Sequence, residues 1–167
     1  MSKHLLLIII LFSLKIYSQE IVSRNDIYAK DSIAYKVQDN KLFTGKVQNF
    51  KHKTHLVSEI EFVDGILNKT SVYANGKEVI ILDEDYYYEK SPQIKKKVRY
   101  SFDHKIMSTT YYEKNGNKKL EEELKDGILV YSCPYTNNKK NGKLFSIDKK
   151  GEKKECVFEN GKLIKNI

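Results

Sequence analysis

Histidines, carboxylates, tyrosines and cysteines are the side chains of this chain with chemistry to offer, and their spacing decides how much. His52 and His55 lie three apart around Lys53 and Thr54. In an extended strand that spacing sends the two rings to opposite faces, so they read as exposed turn histidines, not metal ligands. Asp83, Glu84 and Asp85 could gather a hard cation such as calcium. No alternation of ligands and no turn glycine follows them as in a calcium loop, and they read as a solvated acidic turn. Tyr86, Tyr87 and Tyr88 precede Lys95, Lys96, Lys97 and Arg99, an aromatic and basic mixture of the kind that lines a binding face. Half-buried strand tyrosines beside snorkelling lysines give the same composition. These seven are the candidate binding residues. No Gly-rich phosphate loop, nucleophile elbow or zinc-protease helix is present. The chain therefore reads as a non-enzyme, with no catalytic residue, cofactor or metal site to name.

The elements that must position these residues are announced by glycine. Of the eight glycines, six follow Asn or Asp: Gly65, Gly76, Gly116, Gly127, Gly142 and Gly161. Asn-Gly and Asp-Gly tolerate the positive φ that tight β-hairpin turns demand. Between them run segments rich in β-branched and aromatic residues, such as Thr70 to Tyr73, Val98 to Phe102 and Ile106 to Tyr112, whose composition favours strands. The long interval from Gly76 to Gly116 contains breaks at Ser91-Pro92 and Asp103-His104, and so holds further strands.

Alignment on Gly65, Gly127 and Gly161 reveals a repeat. An apolar residue stands three positions earlier (Phe62, Leu124, Phe158) and a glutamate six positions earlier (Glu59, Glu121, Glu155). A lone hairpin is marginal in water, and units stacked side by side bury what one cannot. Lys118 to Lys125 conflicts locally, because Lys-Lys-Leu-Glu-Glu-Glu-Leu-Lys has strong helix propensity. Leu120 and Leu124 nonetheless share a face in a strand too, and two hairpin turns leave too little room for an independent helix, so a strand is predicted. If the strands around Cys133, Lys143 to Ile147 and Cys156 form a meander, two spacings of about 4.8 Å set the cysteine backbones roughly 9.6 Å apart. That exceeds the roughly 7 Å limit for a disulfide, and the thiols are predicted to be free.

Lys3 and His4 lead into an apolar run, Leu5 to Leu14, broken only by Ser13, after which Lys15 to Ser18 return to mixed polarity. That is the layout of a secretory signal peptide. A run of about ten residues is too short to span a bilayer core of roughly 30 Å as a helix. Residues 1–18 are expected to be removed after Ser18, residues 19–40 to form a lead-in segment and residues 41–167 a β-hairpin repeat domain. Neither cysteine lies near the cleavage point, so lipid attachment there is not available and no transmembrane anchor is expected. Losing Lys3 and Lys15 takes the formal charge from +8 to +6. Only Arg24 and Arg99 of the 30 basic residues are arginine, which argues against nucleic acid, where arginine's planar fork is favoured.

Leu42-Phe43-Thr44-Gly45-Lys46-Val47, Tyr111-Tyr112-Glu113-Lys114-Asn115-Gly116 and Phe158-Glu159-Asn160-Gly161-Lys162-Leu163 resemble the MORN-repeat variant proteins labelled YwqK-family antitoxins. The resemblance runs from about residue 36 to the end, with a poorly matching middle between about Val79 and Ser101. It implies an all-β, MORN-like fold of repeated antiparallel β-hairpins forming an elongated open meander sheet, and a role in binding or scaffolding without catalytic residues. Together with the leader it implies a periplasmic or extracellular binding module whose partner is a protein or an envelope glycan. The alternative is an antitoxin-like or immunity-like inhibitor of one toxin protein.

Overall fold

The structure, a computed structural model, describes residues 19–167; the expected leader over residues 1–18 lies outside the described residues. The chain is all-β, with consecutive hairpins zipped into a long open meander sheet. β1 (Glu20–Val22) precedes a single 3-10 turn at Arg24–Asp26 and a small hairpin of β2 (Ile27–Lys30) and β3 (Ile33–Lys36). Then come β4 (Gly45–Lys51), β5 (His55–Val63), β6 (Ile66–Tyr73), β7 (Ile81–Tyr87), β8 (Ile94–Tyr100) and β9 (Ile106–Tyr112). The series ends with β10 (Lys118–Lys125), β11 (Ile128–Thr136), β12 (Lys139–Lys140), β13 (Gly142–Ile147), β14 (Lys153–Glu159) and β15 (Lys162–Asn166). Thirteen strands share one sheet in the order β1, β4 through β11, β13, β14, β15, with β12 paired to the end of β11. All its pairs are antiparallel except β1 with β4.

Three turns show why the chain folds this way. At Asp64-Gly65, Asp126-Gly127 and Asn160-Gly161 both central residues have positive φ, the two-residue geometry whose twist matches a hairpin. Each is followed by the same irregularity: the register slips by one residue, leaving Asn68, Val130 and Ile164 as bulges. Lys118–Lys125 is strand β10, as its place between two turns requires, despite its helix propensity. Three further turns have positive φ at both central positions without glycine, at Asp31-Ser32, His52-Lys53 and Asn137-Asn138.

The glutamate repeat does not keep one face. Directly opposed residues share a face, and Gln48, Glu59, Ser71, Glu84, Val98, Thr109 and Glu122 form one continuous row that runs on through Ser132 and Phe145 to Glu155. Glu59 and Glu155 thus lie together, and Glu121, next to Glu122, points the other way. The reason is the meander itself. The turns at Gly65 and Gly161 lie on one rim and the turn at Gly127 on the opposite rim, so identical hairpins present opposite faces.

The contiguous apolar core lies at one end, while Val98, Cys133 and Leu144 are buried singly farther along the sheet. Ala34, Phe43 and Val47 form a buried core against Val22, Ile27, Ile60 and Phe62, and the Phe43 and Phe62 rings lie 5.9 Å apart. Backbone bonds lock the cap: Ala34 N–H donates to the Gly65 carbonyl and Gly65 N–H to the Phe43 carbonyl, both at 2.8 Å. Gly45 is needed because β1 runs so close alongside β4 that a Cβ there would overlap the Glu20 carbonyl oxygen. The lead-in residues therefore supply an edge strand and a hairpin lid over one end of the sheet. Beyond the lid the sheet is a single layer.

Candidate binding surface

Strand alternation divides the candidate binding residues. Tyr86 and Lys96 are opposed across β7 and β8 and share the face of Glu84, with the Lys96 ammonium 4.3 Å from the Tyr86 ring centre. Tyr87, Lys97 and Arg99 take the other face, Lys95 is the bulge residue between Ile94 and Lys96, and Tyr88 lies beyond β7 with its hydroxyl donating to the Tyr112 carbonyl at 2.7 Å. The seven residues do not form one surface.

On the first face Glu84 is almost wholly buried, 5% exposed, and collects four donors. Lys69 Nζ lies at 2.9 Å, the Tyr86 and Tyr100 hydroxyls at 2.7 Å each and the Ser71 hydroxyl at 3.3 Å. Burial pushes its carboxyl up, and the hydrogen bonds from Lys69, Tyr86 and Tyr100 outweigh that and hold it down at about 2. Burial and the bond to Glu84 push both tyrosine hydroxyls up in turn. The Glu84 carboxylate is met from within the sheet, so this cluster fastens β6, β7 and β8 together. Asp83, Glu84 and Asp85 are not a solvated turn: they sit in a central strand, Glu84 on this face and the two aspartates on the other.

The opposite face carries a polar groove of about 450 Å³ across β6 to β10. Two ion pairs cross its floor, Lys97 to Asp85 and Arg99 to Asp83, each at 3.2 Å between directly opposed residues. Thr70, Ser108, Thr110, Tyr112 and Glu121, with Val72 and Val98, complete the lining. The basic residues remain exposed, Lys97 by 46% and Arg99 by 68% of their side chains, so a ligand can reach them. Among the described residues no group of three or more His, Cys, Asp or Glu side chains could hold a metal ion.

Along one margin of the grooved face runs a line of aromatic residues that the sequence reading did not join. Phe62, Tyr87, Tyr112, Tyr135 and Phe158 each precede a turn on the same rim, at intervals of 25, 25, 23 and 23 residues. That period was the available signal. Phe62 is packed into the core under the hairpin lid, and the other four are half-buried on the open sheet. Tyr87 and Tyr135 are tied at their phenol ends, to Thr70 Oγ1 at 3.4 Å and to the Glu121 carboxylate at 2.9 Å. Lys118 and Lys140 ammonium groups lie 4.8 Å from the Tyr135 ring and 5.3 Å from the Phe158 ring.

Cys133 and Cys156 lie on β11 and β14 with β13 between them, both free; Leu144 of β13 is the residue paired with Cys156. The meander order thus sets the separation that was expected.

No family model and no curated protein matches the chain. Among solved structures it is similar to the GtfA/B complex bound to UDP and GlcNAc, with a TM-score of 0.38 and 10% identity over 79% of this chain. The matched part spans 23% of that protein's chain, and a likeness at this level carries no argument.

Proposed function

We propose that the protein is an exported, non-catalytic binding module that offers the grooved face of its open sheet to a partner in the cell envelope or outside the cell. The observation that carries this reading is the groove across β6 to β10, lined by hydroxyls and by ion pairs whose basic members stay accessible. Convergent polar groups in a concavity fix the orientation of a bound molecule. The apolar run Leu5 to Leu14 supports delivery by the export route. Among the described residues no helix is long and apolar enough to cross a membrane.

The test is co-sedimentation of the exported protein with insoluble envelope material. Replacing Asp85 and Lys97 together with alanine leaves net charge unchanged, strands no partner and, for a partly exposed pair, costs about 0–1 kcal/mol of stability. The wild type is expected in the pellet, and the double variant is expected to bind about tenfold more weakly. A wild type that stays in the supernatant contradicts the reading.

A further inference from the structure

We infer that the aromatic margin of the grooved face binds a linear β-linked polysaccharide bearing about one carboxylate per disaccharide; this deepens the binding reading above and rests on it. The first support is geometry. Tyr87, Tyr112, Tyr135 and Phe158 stand on β7, β9, β11 and β14, so each is two strands from the next. At about 4.8 Å per strand the rings repeat every ~9.6 Å along a line of roughly 29 Å. That pitch suits a pyranose chain in which alternate sugars lay their C–H faces on successive rings. The second support is preorganisation: bonds from Tyr87 to Thr70 and from Tyr135 to Glu121 fix the rings before a ligand arrives.

Charge narrows the class. Lys118, which also pairs with Glu121 at 3.3 Å, and Lys140 stand against the Tyr135 and Phe158 rings, a cation in each of the last two of the three intervals between rings, a spacing that matches a polymer with one anion per two sugars. Beside the row, the hydroxyls of Ser108 and Thr110 and the carboxylates of Asp83 and Asp85 offer hydrogen bonds to sugar hydroxyls. Those same carboxylates oppose a single-stranded nucleic acid, which would bring a phosphate for every base it stacked.

Affinity electrophoresis of the protein in gels containing hyaluronan, neutral hydroxyethyl cellulose or oligo-dT tests this. Hyaluronan is expected to retard the protein most. Tyr112→Ala and Tyr135→Ala, which leave net charge unaltered, each weaken that binding about tenfold, while Tyr112→Phe retains it. Lys118→Gln, remote from the core, weakens binding and flattens its dependence on salt. Three results overturn the inference: no retardation by hyaluronan, equal retardation of the alanine variants, or tighter tyrosine-dependent binding of oligo-dT. If envelope co-sedimentation persists while hyaluronan fails, this inference falls and the binding reading stands; if both fail, both fall.

Discussion

At the scale of single residues, Glu84 holds the middle of the sheet. Four donors converge on a carboxylate that is almost wholly buried, and a hydrogen bond to a charged group is worth about 1.5–3 kcal/mol. Glu84→Gln is expected to cost about 2 kcal/mol at pH 7 in urea unfolding, and Tyr100→Phe about 1 kcal/mol. The folded carboxyl is held at about 2, below its ordinary value of 4.5. Its stabilisation is therefore complete above about pH 4.5 and is lost as the pH falls towards 2. The stability gap between wild type and Glu84→Gln should narrow from pH 7 to pH 3. An unchanged gap would show that the charge is not what matters. None of this was legible in the sequence. Asp83, Glu84 and Asp85 look like a solvated cluster because their partners Lys69, Tyr100, Lys97 and Arg99 come from neighbouring strands, not from neighbouring positions.

At the scale of elements, the hairpin was the legible unit. Three of the six Asn-Gly and Asp-Gly pairs, at Gly65, Gly127 and Gly161, are two-residue turns with positive φ at both positions, whereas Asn141-Gly142 opens strand β13 and Gly76 lies in a wider loop without positive φ; strand β10 followed from its flanking turns. The turns at Asp31-Ser32 and Asn137-Asn138 lack glycine, so the lid hairpin and the β11 to β12 return were not foreseen. Alternation within a strand also defeated the tyrosine and lysine run, since consecutive residues must part to opposite faces. Turn glycines of identical backbone geometry are not equally constrained by their surroundings. A Cβ on Gly65 would lie 2.6 Å from Ile33 Cγ2 and 2.8 Å from the Ala34 carbonyl oxygen, whereas one on Gly127 meets nothing within 4 Å. Gly65→Ala should therefore lower the melting temperature well beyond Gly127→Ala, which bears the cost of positive φ alone, about 1–2 kcal/mol. Equal losses would mean that the lid does not press on the turn.

At the scale of the whole molecule, a single-layer sheet with its contiguous apolar cluster at one end leaves two broad faces, and their division of labour is the main consequence of the fold. One face uses its polar groups on itself through Glu84. The other keeps exposed basic side chains, a groove and a line of rings. Disulfide chemistry plays no part in holding either: with β13 between Cys133 and Cys156, oxidation is expected to leave the intact mass of the monomer free of the loss of about 2 Da that closing an internal bridge entails. Such a loss would break the strand order. Lys96 and Lys97 are neighbours in the chain and stand on opposite faces, so they report which face a partner covers. Lysine acylation footprinting with and without insoluble envelope material reads this directly. Protection of Lys97 with Lys96 labelled as before is the predicted result; protection of Lys96 with Lys97 unchanged would contradict it.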